Sequence, residues 1–177
     1  MDDGDSIQGE AMGTLTKGEA NVKLMNTVGY DVAIPGNHKF DYGMDQFLNL
    51  TKQAKYQYIS CNLNKDGELL LPPYKIMEAC GKKIGFVGIT TPESLNTSNP
   101  KNFMDENGNT LYGFLQDEDG TIVYDAVQKA VDDARSEGAD AIKEAAHADI
   151  GLMNGGGLRS GLPKGTLTYE NIIGVYP

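Results

Sequence analysis

The chain has 177 residues, 40% of them hydrophobic, with a formal net charge of -10 and a pI near 4.6. One domain, or one domain and part of another, fits that length, and the hydrophobic content can build a core. The acidity excludes a phosphate-tracking nucleic-acid surface, which needs clustered Lys and Arg, and no apolar run approaches the roughly 18 residues of a membrane span.

Two cysteines, Cys61 and Cys80, fit no zinc pattern and are expected as two buried thiols, a disulfide being the alternative. The start, MDDGDSIQG, has neither a basic nor an apolar segment, so it does not read as an export signal.

Residues 1–13 are expected as a Gly- and Asp-rich loop with no strand before the acidic turn. From Thr16 to Val28 the spacing predicts a helix with Ala20, Leu24, Met25 and Val28 on its buried face, ended by Gly29. Val32–Ile34 reads as a short strand stopped by Pro35-Gly36. Asp45 is expected to cap a second helix that carries Phe47, Leu50, Thr51 and Ala54 along one side. YQYISCNL reads as another strand, and residues 64–83 as a loop and an edge strand, because Pro72-Pro73 excludes a central one. Lys83–Ile89 reads as a buried strand. Residues 93–120 read as one long polar connection. Val123, Val127, Ala130, Val131 and Ala134 then mark an amphipathic helix ended by Gly138, and ADIGLMNGGG reads as a strand and a Gly-rich turn. The alternation of strand and helix predicts an α/β layered fold.

Two loops carry the chemistry. DDGDSIQG offers Asp5, and PGNHKFDYG offers Asn37, His38 and Asp41. A carboxylate and an amide oxygen suit hard or borderline divalent ions, and an Asp beside an imidazole can fix its tautomer. Taken singly, Asp5 and Asn37 are ordinary turn residues; the ordered string around them is what points to a site. Gly155-Gly156-Gly157 is not a dinucleotide loop, since Leu162-Pro163-Lys164-Gly165 does not open a helix.

GDSIQG and GNHKFDYG resemble two signature blocks of the calcineurin-like metallophosphoesterases, and most of all their bacterial 5'-nucleotidase branch. YISCNL, GKKIGFVGITTPE and ARSEGADAI look like the same catalytic domain in the same order. ADIGLMNGGGLRSGLPKGTLTYENIIGVYP looks like the start of that family's substrate-recognition domain.

The resemblance implies a partial α/β/β/α metallophosphoesterase sandwich over residues 1–141, then a short α+β piece of the C-terminal domain over 142–177. It implies hydrolysis of nucleotide phosphate esters with divalent metals (Mn, Zn, Co or Mg) and a small nucleotide or phosphate ester as substrate. Asp5 would bridge the metals and Asn37 would bind one of them and face substrate. His38 would steady the phosphoryl group or leaving group, Asp41 would orient His38, and Arg159 would contact the substrate phosphate. Full-length relatives of this kind are usually exported.

Measured against that pattern, the Asp-x-His block on a first strand and two histidine-bearing loops find no counterpart. The chain is therefore expected to be shortened at its start and inside, with a complementing chain or self-association as one route to repair. The strand leading into the Gly-Asp block is also expected to be absent. Lys39 stands where the pattern usually has Glu. His147, the other histidine, reads as an exposed helix residue. Weak or absent turnover follows as an expectation, and a non-catalytic α/β remnant that binds phosphate or a cation weakly is the alternative.

Overall fold

A computed structural model describes residues 1–79, 81–139 and 151–153. Cys80, His147, the Gly155–Gly157 turn, Arg159 and most of the 142–177 piece lie outside the described residues.

Three short strands form a parallel sheet in the order β1 (Asp2–Gly4), β2 (Val32–Pro35), β3 (Gln57–Tyr58). A second sheet runs β6 (Tyr74–Ala79), β7 (Lys82–Ile89), β9 (Gly151–Met153), antiparallel and then parallel. A small antiparallel sheet of β4 (Leu63–Lys65), β5 (Glu68–Leu69) and β8 (Tyr112–Phe114) lies to the side. The helices are α1 (Glu10–Thr16), α2 (Glu19–Val28), α3 (Met44–Gln53), α4 (Ser94–Thr97) and α5 (Thr121–Ser136).

Strand alternation explains how these layers stack. Along β2, Val32 and Ile34 point one way and meet Ile59, Met77 and Phe86, which joins the two main sheets face to face. Ala33 points the other way, into a cluster with Met25, Phe40, Met44, Phe47 and Tyr58 under α2 and α3. On β7, Val87 and Ile89 face Ala130, Val131 and Ala134 of α5. The order is helices, sheet, sheet, helix, the α/β/β/α arrangement expected from the sequence. β2 is buried on both faces, as its unbroken VAIP run requires.

Several local expectations are corrected. Residues 2–4 form β1 because β2 supplies a parallel partner, in the register Asp2 to Ala33 and Gly4 to Pro35; the segment is neither loop nor strandless. Residues 10–28 form two helices broken at Lys17 and Gly18, both left-handed (φ 47° and 86°). A Cβ on Gly18 would also press to 3.0 Å from Ile7 and Leu50, so any other residue there is strained both in backbone and in packing. The break turns α2 so that Val22 and Met25 are buried while Leu24 and Val28 are exposed. Asp45 lies in the first turn of α3, whose N-cap is Gly43. The 93–120 segment is no plain connection: it holds α4, a 3₁₀ turn at Pro100–Phe103 and β8, and it buries Phe103 and Phe114 in the core.

Candidate functional site

Because β1 and β2 are parallel neighbours, their C-terminal ends finish at the same edge of the sheet. Asp5 follows one end, and the 3₁₀ turn Asn37–Phe40 follows the other. This is where loops of an α/β sheet converge on ligands. The Asp5 carboxylate Oδ1 accepts the backbone N–H of His38 at 3.1 Å, so two blocks 33 residues apart become one corner. The His38 Nδ1 lies 2.7 Å from Asp41 Oδ2. A carboxylate can only accept, so Nδ1 carries the proton and Nε2 is left for other work. The His38 side chain is 42% exposed and that of Asp41 24%.

The turn is braced from beneath. Ser98 Oγ donates to the Asn37 carbonyl at 2.6 Å, and Asn102 Nδ2 donates to the Phe40 carbonyl at 2.7 Å. Neither residue was singled out from the sequence, where an isolated Ser and Asn in a polar stretch carry no signal. Phe40 points down and anchors the turn among Phe47, Phe103 and Phe114, with ring centroids 5.2, 5.2 and 5.9 Å away.

Lys39 is fully buried. Its Nζ donates to Asp2 Oδ2 at 3.0 Å and to Ser6 Oγ, and Ser6 Oγ in turn donates to Asp2 Oδ2 at 2.8 Å. The ammonium also lies 5.6 Å from the centroid of the Tyr58 ring. Burial pulls its pKa below the ordinary lysine value, while the Asp2 carboxylate, its hydrogen bond and the Asp5 charge pull it back up. Ser6 thus joins the corner with no signal in the sequence, and Asp2, which with Asp3 could have offered a weak cation site, is engaged by Lys39 instead.

Among the described residues, the donors at the corner fall short of what the divalent ions implied by the resemblance take. Such an ion takes roughly four to eight ligands. The corner offers Asp5, one of whose oxygens already holds the His38 amide, His38 Nε2 and, from the neighbouring residue, the Asn37 amide. Asp2 is held by Lys39. Among the described residues no group of three or more His, Cys, Asp or Glu is placed to hold a metal ion. A surface hollow lined by Thr51, Lys55, Tyr56, Gln57, Tyr58, Leu71 and Lys75 includes none of the site residues. No helix among the described residues is long and apolar enough to cross a membrane.

Comparison with known proteins follows the same lines. Residues 120–177 match the family model described as 5'-nucleotidase, C-terminal domain. The snake venom 5'-nucleotidase of Gloydius brevicauda is 36% identical over 112 residues, covering 59% of this chain and 19% of that protein. Protein UshA of Salmonella pullorum is 33% identical over 104 residues, covering 58% of this chain and 19% of its own length. Among solved structures, a 5'-nucleotidase precursor from Thermus thermophilus superposes with a TM-score of 0.60 at 26% identity, over 77% of this chain and 23% of that one. The chain therefore spans about a fifth of the length of these curated relatives.

Proposed function

We propose, for a chain that belongs to the 5'-nucleotidase family of calcineurin-like phosphoesterases, that the Asp5–Asn37–His38–Asp41 corner is the leaving-group side of a nucleotide phosphate-ester hydrolase. The observation that carries this reading is the His38–Asp41 pair, 2.7 Å apart and held over Asp5 by the 3.1 Å bond to the His38 amide.

Cleaving a phosphate monoester needs an activated water, a neutralised phosphoryl group and a proton for the departing oxygen. The corner is suited to the third. Asp41 fixes the His38 ring through Nδ1–H, which leaves Nε2 as the ring atom that would exchange a proton with a departing ribose oxygen. Asn37 can donate its amide N–H to a phosphoryl oxygen beside that proton. Arg159 would add a planar two-pronged contact to phosphate, the geometry that favours Arg over Lys. A nucleotide is the substrate class that the relatives' names support, and an exported location fits the venom protein among them.

With the donors described, the first two requirements go unmet, and we expect the chain alone to release little or no phosphate. The test incubates purified chain with AMP and with a cyclic nucleotide, with Mn²⁺, Co²⁺ or Mg²⁺, beside a His38→Ala variant. Phosphate release equal in the two proteins is expected. Robust release that His38→Ala abolishes would place a working hydrolase here and overturn the expectation of inactivity, while leaving the role of His38 standing. Robust release that His38→Ala leaves intact would overturn the role.

A second reading, a non-catalytic α/β remnant, is favoured by one feature, the buried Lys39–Asp2 pair in the acidic corner.

A further inference from the structure

We propose that Lys39 is a resident counter-ion: its buried side chain holds the place of an external divalent cation at the Asp2–Ser6 edge of the corner, and keeps the Asn37–Phe40 turn docked on β1 without metal. This goes beyond the hydrolase reading and is tested by binding, not turnover.

A divalent cation would need free carboxylates at this edge of the sheet, and Asp2 and Asp5 are both already engaged. Asp2 Oδ2 accepts from Lys39 Nζ at 3.0 Å and from Ser6 Oγ at 2.8 Å. The Lys39 side chain has 0% exposure and that of Asp2 13%, so solvent screens this pair little. Asp2 Oδ2 thus already has two donors, which leaves it poorly placed to take an external cation. Asp5 is left as a single carboxylate with one oxygen committed to the His38 amide.

The groups facing the lysine complete an enclosure. Asp2 and Ser6 come from the β1 end, Asp5 acts through its charge, and the Tyr58 ring of β3 lies 5.6 Å away. A lysine in this position does structurally what a bridging ion would do, since it ties the strand end that carries Asp5 to the turn that carries Asn37 and His38. It cannot acidify a water or polarise a phosphoryl oxygen as a divalent ion does.

Two variants separate the charge from the packing. Lys39→Met removes ammonium and hydrogen bonds while keeping an unbranched apolar stem. Lys39→Gln keeps an N–H donor toward Asp2 and Ser6 and removes the charge. Mn²⁺ is titrated into each protein, with free Mn²⁺ read by electron paramagnetic resonance and its location read from broadening of backbone amide signals.

The unaltered chain is expected to show no saturable site at the corner tighter than about 1 mM, and either variant to bind at least roughly tenfold tighter, because the count of available carboxylates rises. Adding Asp2→Asn to Lys39→Met should return binding to the starting level.

Micromolar saturation of the unaltered chain at Asp5 and His38 would overturn the proposal, whatever the variants do. So would folded variants that bind no better than the parent. If neither variant folds alone, Mn²⁺ that restores near-ultraviolet circular dichroism supports the proposal. Failure to restore it at about 10 mM Mn²⁺, above the weakest protein sites for such ions, overturns it.

Discussion

Replacing Phe40 by Ala should unfasten the candidate site by emptying the core beneath it. Phe40 is fully buried and its ring meets Phe47, Phe103 and Phe114 at 5.2, 5.2 and 5.9 Å, so the space left behind would be lined by aromatic rings and stay dry. Truncation of a buried Phe costs about 3–5 kcal/mol, the sum of lost transfer energy and a residual cavity. The tilted and edge-on ring contacts add to ordinary burial, and the neighbouring rings are themselves pinned by one another (Phe103 and Phe114 at 6.0 Å), so the site collapses poorly and the upper half of that range is expected. A loss of about 4 kcal/mol is a large share of a domain stability of about 5–15 kcal/mol. With a urea slope of about 2 kcal/mol/M, the unfolding midpoint should fall by about 2 M. Urea titration followed by tyrosine fluorescence measures it. Leu15→Ala, at a position 83% exposed, serves as the control and should stay within about 0.5 kcal/mol of the parent. A midpoint shift for Phe40→Ala no larger than that of the control, with unchanged slope, would refute the claim that the Asn-His turn is anchored through this ring.

Three further outcomes follow from the same geometry. Gly88→Ala would place a Cβ 2.4 Å from the Ile59 carbonyl oxygen and 2.7 Å from Ile59 Cγ1, where the two main sheets touch. The strand cannot retreat, because Gly88 is bonded to Cys61 and Pro73 on its two sides, so a loss of about 1–3 kcal/mol or more is expected; an unchanged melting temperature would contradict the close sheet contact. Asn62→Ala strips both partners from Thr90, whose N–H and carbonyl meet the Asn62 amide at 2.9 and 2.7 Å in a fully buried position, and should cost about 2–5 kcal/mol by equilibrium denaturation. Burial first of all pushes the Tyr56 phenol up to about 12 and raises Tyr58 as well. The folded state therefore keeps protons that the unfolded chain releases near pH 10, so the phenols should make stability fall as pH rises from 10 to 12, on top of the fall that the buried Cys61 thiol, also pushed up to about 12, begins near pH 9. Tyr56→Phe should flatten part of that fall, and an equally steep fall in the variant would rule the assignment out.

What the sequence made legible depended on how far each signal was local. β7 and α5 were legible because Val87 and Ile89, and Ala130, Val131 and Ala134, keep strict strand and helix periods within one element. The face of α2 was not. Leu24 and Val28 satisfy the helical period as well as Val22 and Met25 do, and the choice is made by the left-handed break at Lys17-Gly18, which sets the rotation of the helix. β1 was invisible for a different reason. Asp2-Asp3-Gly4 has no strand preference of its own, and it pairs because β2 is already extended beside it. The apolar residues of 93–120, from Leu95 through Phe103 to Phe114, are too sparse to show any period, yet they close the core. For the candidate site, Asp5, His38 and Asp41 of the motif string lie together at one corner. The braces Ser98 and Asn102 come from far along the chain, and no local pattern marks them.

The way the corner is fastened explains why its side chains can vary independently of its shape. Asp5 grips His38 through the main-chain N–H, Ser98 grips Asn37 through its carbonyl, and Asn102 grips Phe40 through its carbonyl. All three holds would survive a change of the side chain at 37 or 38, because none of them uses it. The alternation of the 3₁₀ turn sends His38 toward solvent and Lys39 and Phe40 into the protein, so the exposed position carries the proton chemistry and the buried ones carry the stability. A lysine at 39 is therefore tolerable to the fold only because the end of β1 brings Asp2 and Ser6 to meet it. An unpaired ammonium there would cost several kcal/mol of desolvation. Docking of β1, burial of Lys39 and placement of Asp5 under His38 are thus one structural event, and a change that loosens any one of the three should loosen the other two.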